Sequence, residues 1–209
     1  MSYGSHRMHP WISMWFNPRR TTRQVIASRP SYGVFWLVFI FALQNLLFYA
    51  NWWSLGLRYS WSAILAMSVL LAPLIGLVWV YFAGWIFYFT GRWLGGSAPA
   101  SHLRACLAWS KIPAVLGLVL WVAFLTAQAK TAFIQDGNLT SGWFSSLVIN
   151  LTVLIVGIWS FVLLVQAIRE IQSFSLGRSI ANIAMGWTIY FLSFMIFSIL
   201  FRYIYLLSF

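Results

Sequence analysis

The side chains that most often carry proton, nucleophile or metal chemistry are scarce in this sequence: two acids, Asp136 and Glu170, three histidines, His6, His9 and His102, and one cysteine, Cys106. A carboxylate pair needs both acids at one site. Here the uncharged run from Trp143 to Gln166 separates them, and if that run crosses a bilayer the acids lie on opposite sides. A Ser or Cys triad would have only Glu170 to orient its histidine, and no nucleophile motif accompanies the histidines. His6-x-x-His9 has ligand-like spacing but no third ligand near it. Cys106 excludes an internal disulfide and any multi-cysteine metal site, and its apolar helical neighbourhood suits a buried thiol better than an acylated one. No glycine-rich loop has the spacing and strand context of a nucleotide site. The expectation is a non-enzymatic protein with no cofactor and no metal.

The reason lies in the elements that surround these residues. With 62% hydrophobic and 7% charged residues, the chain has too little polar surface to cover a soluble core. From Tyr59 to Gly91 no charged residue occurs, far beyond the ~20 apolar residues that cross a bilayer as a helix. Ala72, Gly76, Val80 and Gly84 recur every fourth residue along it, a smooth stripe that a neighbouring helix can approach closely. Pro73 is the expected place for a bend. The fold class predicted is an all-α membrane protein, a bundle of five transmembrane helices over about 32–52, 62–90, 112–133, 143–166 and 179–206, with amphipathic helices on the cytoplasmic face. Residues 1–30 form a basic amphipathic cytoplasmic segment and 31–209 the membrane domain.

In the amino-terminal segment, Met1 to Ser5 is small, polar and expected to be disordered. Trp11, Ile12, Trp15 and Phe16 share one side of a short helix opened by Pro10, and Asn17-Pro18 caps and starts a second one carrying Arg19, Arg20 and Arg23. Basic residues beside a Trp/Phe wedge describe a helix lying among lipid headgroups, the alternative being a solvated basic arm that only follows the positive-inside bias. After the breakers Gly95, Gly96 and Pro99, Ser101 can cap an amphipathic surface helix with Leu103, Cys106, Leu107 and Ser110 on one face and Arg104 and Lys111 facing away. No removable signal peptide is seen at the amino terminus.

The net charge of +11 would suggest nucleic acid on a soluble domain. In short segments between apolar runs it reads instead as topology and contact with anionic lipid, and no nucleic-acid partner is expected. Placing the amino terminus in the cytoplasm leaves only Arg58, Lys130 and Arg202 outside or near the outer face, with the carboxyl terminus outside. The residues expected at lipid headgroups are Arg19, Arg20, Arg23, Arg92, Arg104 and Lys111. Within the spans, Gln44, Asn45, Gln128, Asn150 and Arg202 all fall in the outer half, where they form either a small polar cavity or interhelical hydrogen bonds. Asn182 and Gly186 mark a helix contact. The sequons at Asn138 and Asn150 are chance matches, one in a short loop and one in a span.

The stretches Trp11-Ile12-Ser13-Met14-Trp15-Phe16-Asn17-Pro18-Arg19, Leu94-Gly95-Gly96 through Leu103, Trp109 to Pro113, and Trp159-Ser160 through Ile168-Arg169-Glu170 to Ser179 carry a resemblance. In their order along the chain they resemble the Ypt-interacting protein (Yip) domain family, in its bacterial branch. The resemblance implies a five-helix membrane domain with a cytosolic amino terminus, and eukaryotic members bind Rab-type GTPases and partner membrane proteins in trafficking. This chain lacks their acidic Asp-Leu-Tyr-Gly-Pro motif and long cytosolic head, so a small GTPase is not the expected partner. The function expected is a membrane organiser or adaptor, in the bacterial inner membrane, that binds lipids and a partner membrane protein or forms a homo-oligomer. The alternative is a permease or channel for a small or lipidic solute built on the outer-half polar residues.

Overall fold

The computed structural model describes residues 9–129, 131–134 and 143–207, without the side chains of 143–146 and 201–207. His6, Lys130, Asp136, the loop from Gln135 to Gly142, the Asn138 sequon and the side chain of Arg202 lie outside the described residues, as does the head from Met1 to Ser5. Eight α-helices are described: α1 (Pro10–Phe16), α2 (Pro18–Ser28), α3 (Val34–Trp52), α4 (Trp61–Trp93), α5 (Ala100–Trp109), α6 (Ala114–Gln128), α7 (Trp143–Gln172) and α8 (Leu176–Leu207). Four helices, α3, α4, α7 and α8, are long and apolar enough to cross a membrane. The pair α5 and α6, bent by 41° at Pro113, passes the same test only as one broken span.

The predicted third span is therefore altered. Its continuous part, α6, has 15 residues, which at ~1.5 Å per residue falls short of the ~30 Å hydrocarbon layer. Pro113 explains the break: it lacks the amide that would continue the ladder from α5. Across Pro73, by contrast, α4 continues as one 33-residue helix, and the expected bend does not interrupt it. The cap at Ser60 is a side-chain bond from Ala63 N, whereas α5 begins after Pro99 and not at Ser101, and Asn17 starts α2 without a side-chain cap bond.

The stripe on α4 is where the core forms. Ala72, Gly76, Val80 and Gly84 are all buried, and a Cβ on Gly76 would sit 2.6 Å from the Val38 carbonyl oxygen of α3. The α3 and α4 backbones touch there because neither side presents a bulky group. Two core clusters follow, one around Leu37, Val80, Phe87, Leu103, Trp109 and Ile168, the other around Leu47, Trp121, Phe133 and Ile149. The first cluster lies at the end of the bundle that carries α1, α2 and α5, called the near face here. At the opposite, far face, Asn51 Nδ2 donates to the Ala132 carbonyl at 2.8 Å and Gly56 N to the Phe133 carbonyl at 2.8 Å, tying two inter-helix connections together.

Two amphipathic assignments change. On α1 Ser13 and Met14 are buried and Trp11 and Trp15 half-buried, while Ile12 and Phe16 are 66% and 79% exposed, so the four apolar residues do not form one wedge. On α5, Leu103, Cys106, Leu107 and Ser110 are buried as the periodicity demands, but so are Ala105, Ala108 and Trp109. Helices α3, α4 and α7 pack around α5 and the arm adds cover at Trp109, with Trp11 edge-on to it at 5.4 Å, so α5 is a buried element and not a surface helix.

Candidate functional site: a basic face and its partners

The near face carries the six cations expected at headgroups, in three kinds of environment. Arg19 Nε donates to Glu170 Oε2 at 3.1 Å and Arg23 Nε to Glu170 Oε1 at 2.6 Å. Glu170 is 9% exposed, and it anchors α2 to α7. Thr21 Oγ1 adds a bond to Ser13 Oγ at 2.9 Å, which fixes α2 against α1. Arg20 is exposed, with no hydrogen bond or ion pair among the described residues.

The other three lie over aromatic rings, where the π-face attracts a cation. Arg92 sits 5.6 Å from the Tyr88 ring centre and Arg104 4.6 Å from that of Tyr81. The stem of Arg104 crosses Gly84, whose missing side chain leaves it room: a Cβ there would meet the Arg104 Cγ at 2.5 Å. Lys111, expected to face away from the protein, instead places Nζ 4.7 Å from the Phe41 ring, 5.6 Å from Trp79 and 5.8 Å from Trp187. Three helices, α3, α4 and α8, supply that cage.

Of the intramembrane polar residues, Gln44 is buried with its amide against Gly117 of α6. Asn45 Nδ2 donates at 2.7 Å to the Phe41 carbonyl of its own helix. Gln128 lines a cavity of about 230 Å³ between α6 and α7, with Gly117, Trp121 and Thr152. Asn150 is exposed on α7 and is not part of that lining. Asn182 and Gly186 do mark a helix contact: Asn182 Nδ2 reaches Thr90 Oγ1 at 3.4 Å, and a Cβ on Gly186 would meet the Phe87 ring at 2.8 Å.

Sequence reasoning missed Gln172. Its amide fills the space left by Gly91 and Gly96 and accepts from Ala98 N at 3.2 Å, closing the turn between α4 and α5. The pair of near-face glycines was the signal, since a glycine at the end of a span often admits a neighbour's side chain. It also missed Trp109, whose indole donates to the Tyr32 carbonyl at 3.1 Å and stacks on the Tyr32 ring.

No group of three or more His, Cys, Asp or Glu able to hold a metal occurs among the described residues. The arrangement offers contacts: cations on rings, a clamped arm and a long apolar perimeter. No curated protein and no solved structure matches the chain. The Yip1 domain family model matches residues 12–200, from the arm through α8, and the chain belongs to that family.

Proposed function

We propose that this protein is a non-enzymatic membrane organiser that associates, within the bilayer, with a partner membrane protein or a second copy of itself. The observation that carries the reading is the far half of α8. From Phe191 to Leu200 no residue is buried, and Phe194, Phe197 and Ile199 are 60%, 68% and 62% exposed. Over these ten positions α8 turns most of its circumference, Phe194 and Ile199 included, away from the described part of the bundle and toward another span. Its Ser193 and Ser198 hydroxyls are bonded to their own helix, so nothing polar opposes packing.

The basic near face faces the cytoplasm of a bacterial inner membrane in this reading, because the positive-inside bias is strong along the sequence. Arg20, Arg92 and Arg104 then meet anionic headgroups, each worth about 1 kcal/mol near a charged surface. Mild cross-linking of native membranes followed by affinity purification tests the reading. A reproducible membrane-protein partner or a homo-oligomer supports it; a protein recovered alone with lipid contradicts it.

A further inference from the structure

Two cavities meet on the outside of α7 beneath the arm. One, of about 410 Å³, is lined by Asn17, Arg19, Arg20 and Gln166 with Phe16 at its side. The other, of about 300 Å³, is lined wholly by apolar side chains, including Pro113, Leu116, Ile155 and Ile158. Trp15 and Trp159 belong to both linings and form the wall between them. Along α7 the groove passes from Ile155 through Trp159 to Gln166, about 16 Å at the helical rise. Its chemistry changes along that length from aliphatic to indole to charged, the same order a bilayer shows from hydrocarbon to headgroup.

We propose that this groove holds one anionic glycerophospholipid, with its phosphate at Arg20 and the upper part of an acyl chain between α6 and α7. The proposal rests on the lipid-facing reading of the arm and not on the adaptor role. Charge complementarity selects the ligand. Glu170 occupies Arg19 and Arg23, and Arg20, next in the helix, is left without a carboxylate among the described residues. The Trp15 and Trp159 indoles likewise make no hydrogen bond among the described residues, leaving two further donors beside the headgroup position. An acyl chain gains little by leaving its lipid neighbours, since those are as apolar as the groove. Selectivity therefore resides in the phosphate contacts, and the apolar chamber only requires that the ligand have a chain to fill it.

The test uses the full chain in nanodiscs of mixed phosphatidylglycerol and phosphatidylcholine, with native mass spectrometry after release. One phosphatidylglycerol retained per protomer is expected, falling about tenfold in Arg20→Gln, or about 1.4 kcal/mol. Ile155→Trp, which fills the apolar chamber at a surface position, should abolish retention while the thermal midpoint stays unchanged. Arg178→Gln, exposed and outside the groove, should retain the lipid as the wild type does. Equal losses in Arg20→Gln and Arg178→Gln would overturn the groove while leaving general lipid attraction standing. Unchanged bulk enrichment of phosphatidylglycerol in both variants would overturn that attraction too. Retention insensitive to Ile155→Trp would remove the apolar chamber from the site and overturn the proposal, and displacement of the lipid by inorganic phosphate would assign the cations to a soluble anion and overturn it as well.

Discussion

Glu170 binds Arg19 across 151 positions of sequence and Arg23 one turn later, so a single carboxylate holds the amino-terminal arm against α7. The arginine side chains are 53% and 75% exposed, which limits the stabilisation to about 1 kcal/mol or less. Glu170→Gln should therefore leave the thermal midpoint nearly unchanged. Hydrogen exchange in α2, Pro18–Ser28, should rise severalfold, because a local opening follows the local and not the global free energy. Exchange in α2 that stayed at the wild-type level would show that Thr21, Thr22 and Val25 alone seat the arm.

The α3–α4 contact makes a paired glycine prediction. At Gly76 a methyl group meets the Val38 carbonyl oxygen at 2.6 Å and the Ala42 Cβ at 3.3 Å, and backbone cannot turn aside as a side chain can. Gly76→Ala should destabilise by about 1–3 kcal/mol. At Gly157 nothing lies within 4 Å, so Gly157→Ala should be neutral or stabilising by up to about 1 kcal/mol through helix propensity. Thermal unfolding of both variants in the same detergent checks the difference.

Trp109 is the hinge of the near-face core: 2% exposed, stacked on Tyr32, edge-on to Trp11 and hydrogen-bonded to the Tyr32 carbonyl. Trp109→Ala should cost about 3–5 kcal/mol. Trp109→Phe keeps much of the packing and loses the indole donor, for about 1 kcal/mol from the lost bond. Equal effects of the two, measured by thermal or denaturant unfolding, would mean the hydrogen bond outweighs the burial.

Lys111 points its ammonium at three ring faces. Lys111→Met preserves the stem and should cost about 0.5–2 kcal/mol for the lost cation–ring attraction. Lys111→Glu puts a negative charge on the negative faces of the same rings and should prevent recovery of a monodisperse protein. Size-exclusion profiles and unfolding midpoints of the two variants separate loss of attraction from gain of repulsion.

The long spans and the α4 stripe were legible because a bilayer imposes length and smoothness directly on sequence. A helix that crosses hydrocarbon must stay uncharged, as the run from Tyr59 to Gly91 does, and a helix that packs closely must carry small residues every fourth position. The near face was less legible. Helical periodicity assigned α5 one buried side, and it could not register that α3, α4 and α7 surround the helix while the arm adds Trp11 over Trp109. Counting placed Arg19, Arg20 and Arg23 together as headgroup contacts, yet Glu170, distant in sequence, binds the first and third of them. Lys111 was expected to face away with Arg104, yet it stands four positions after the buried Leu107, which puts it at the edge of the same face. The cage rings come from three other helices, and spacing within one helix does not name them.

The central claim is that the far half of α8 docks against another membrane protein. Photo-cross-linking in native membranes tests it most directly, with the reactive group placed in turn at Phe194, Phe197 and, as a lipid-facing comparison on α4, Leu74, which is 62% exposed. The account predicts one discrete protein adduct from Phe194 or Phe197, either the size of a second copy or of a single partner, and lipid adducts alone from Leu74. Lipid adducts alone from both α8 positions, with none to protein, would contradict it.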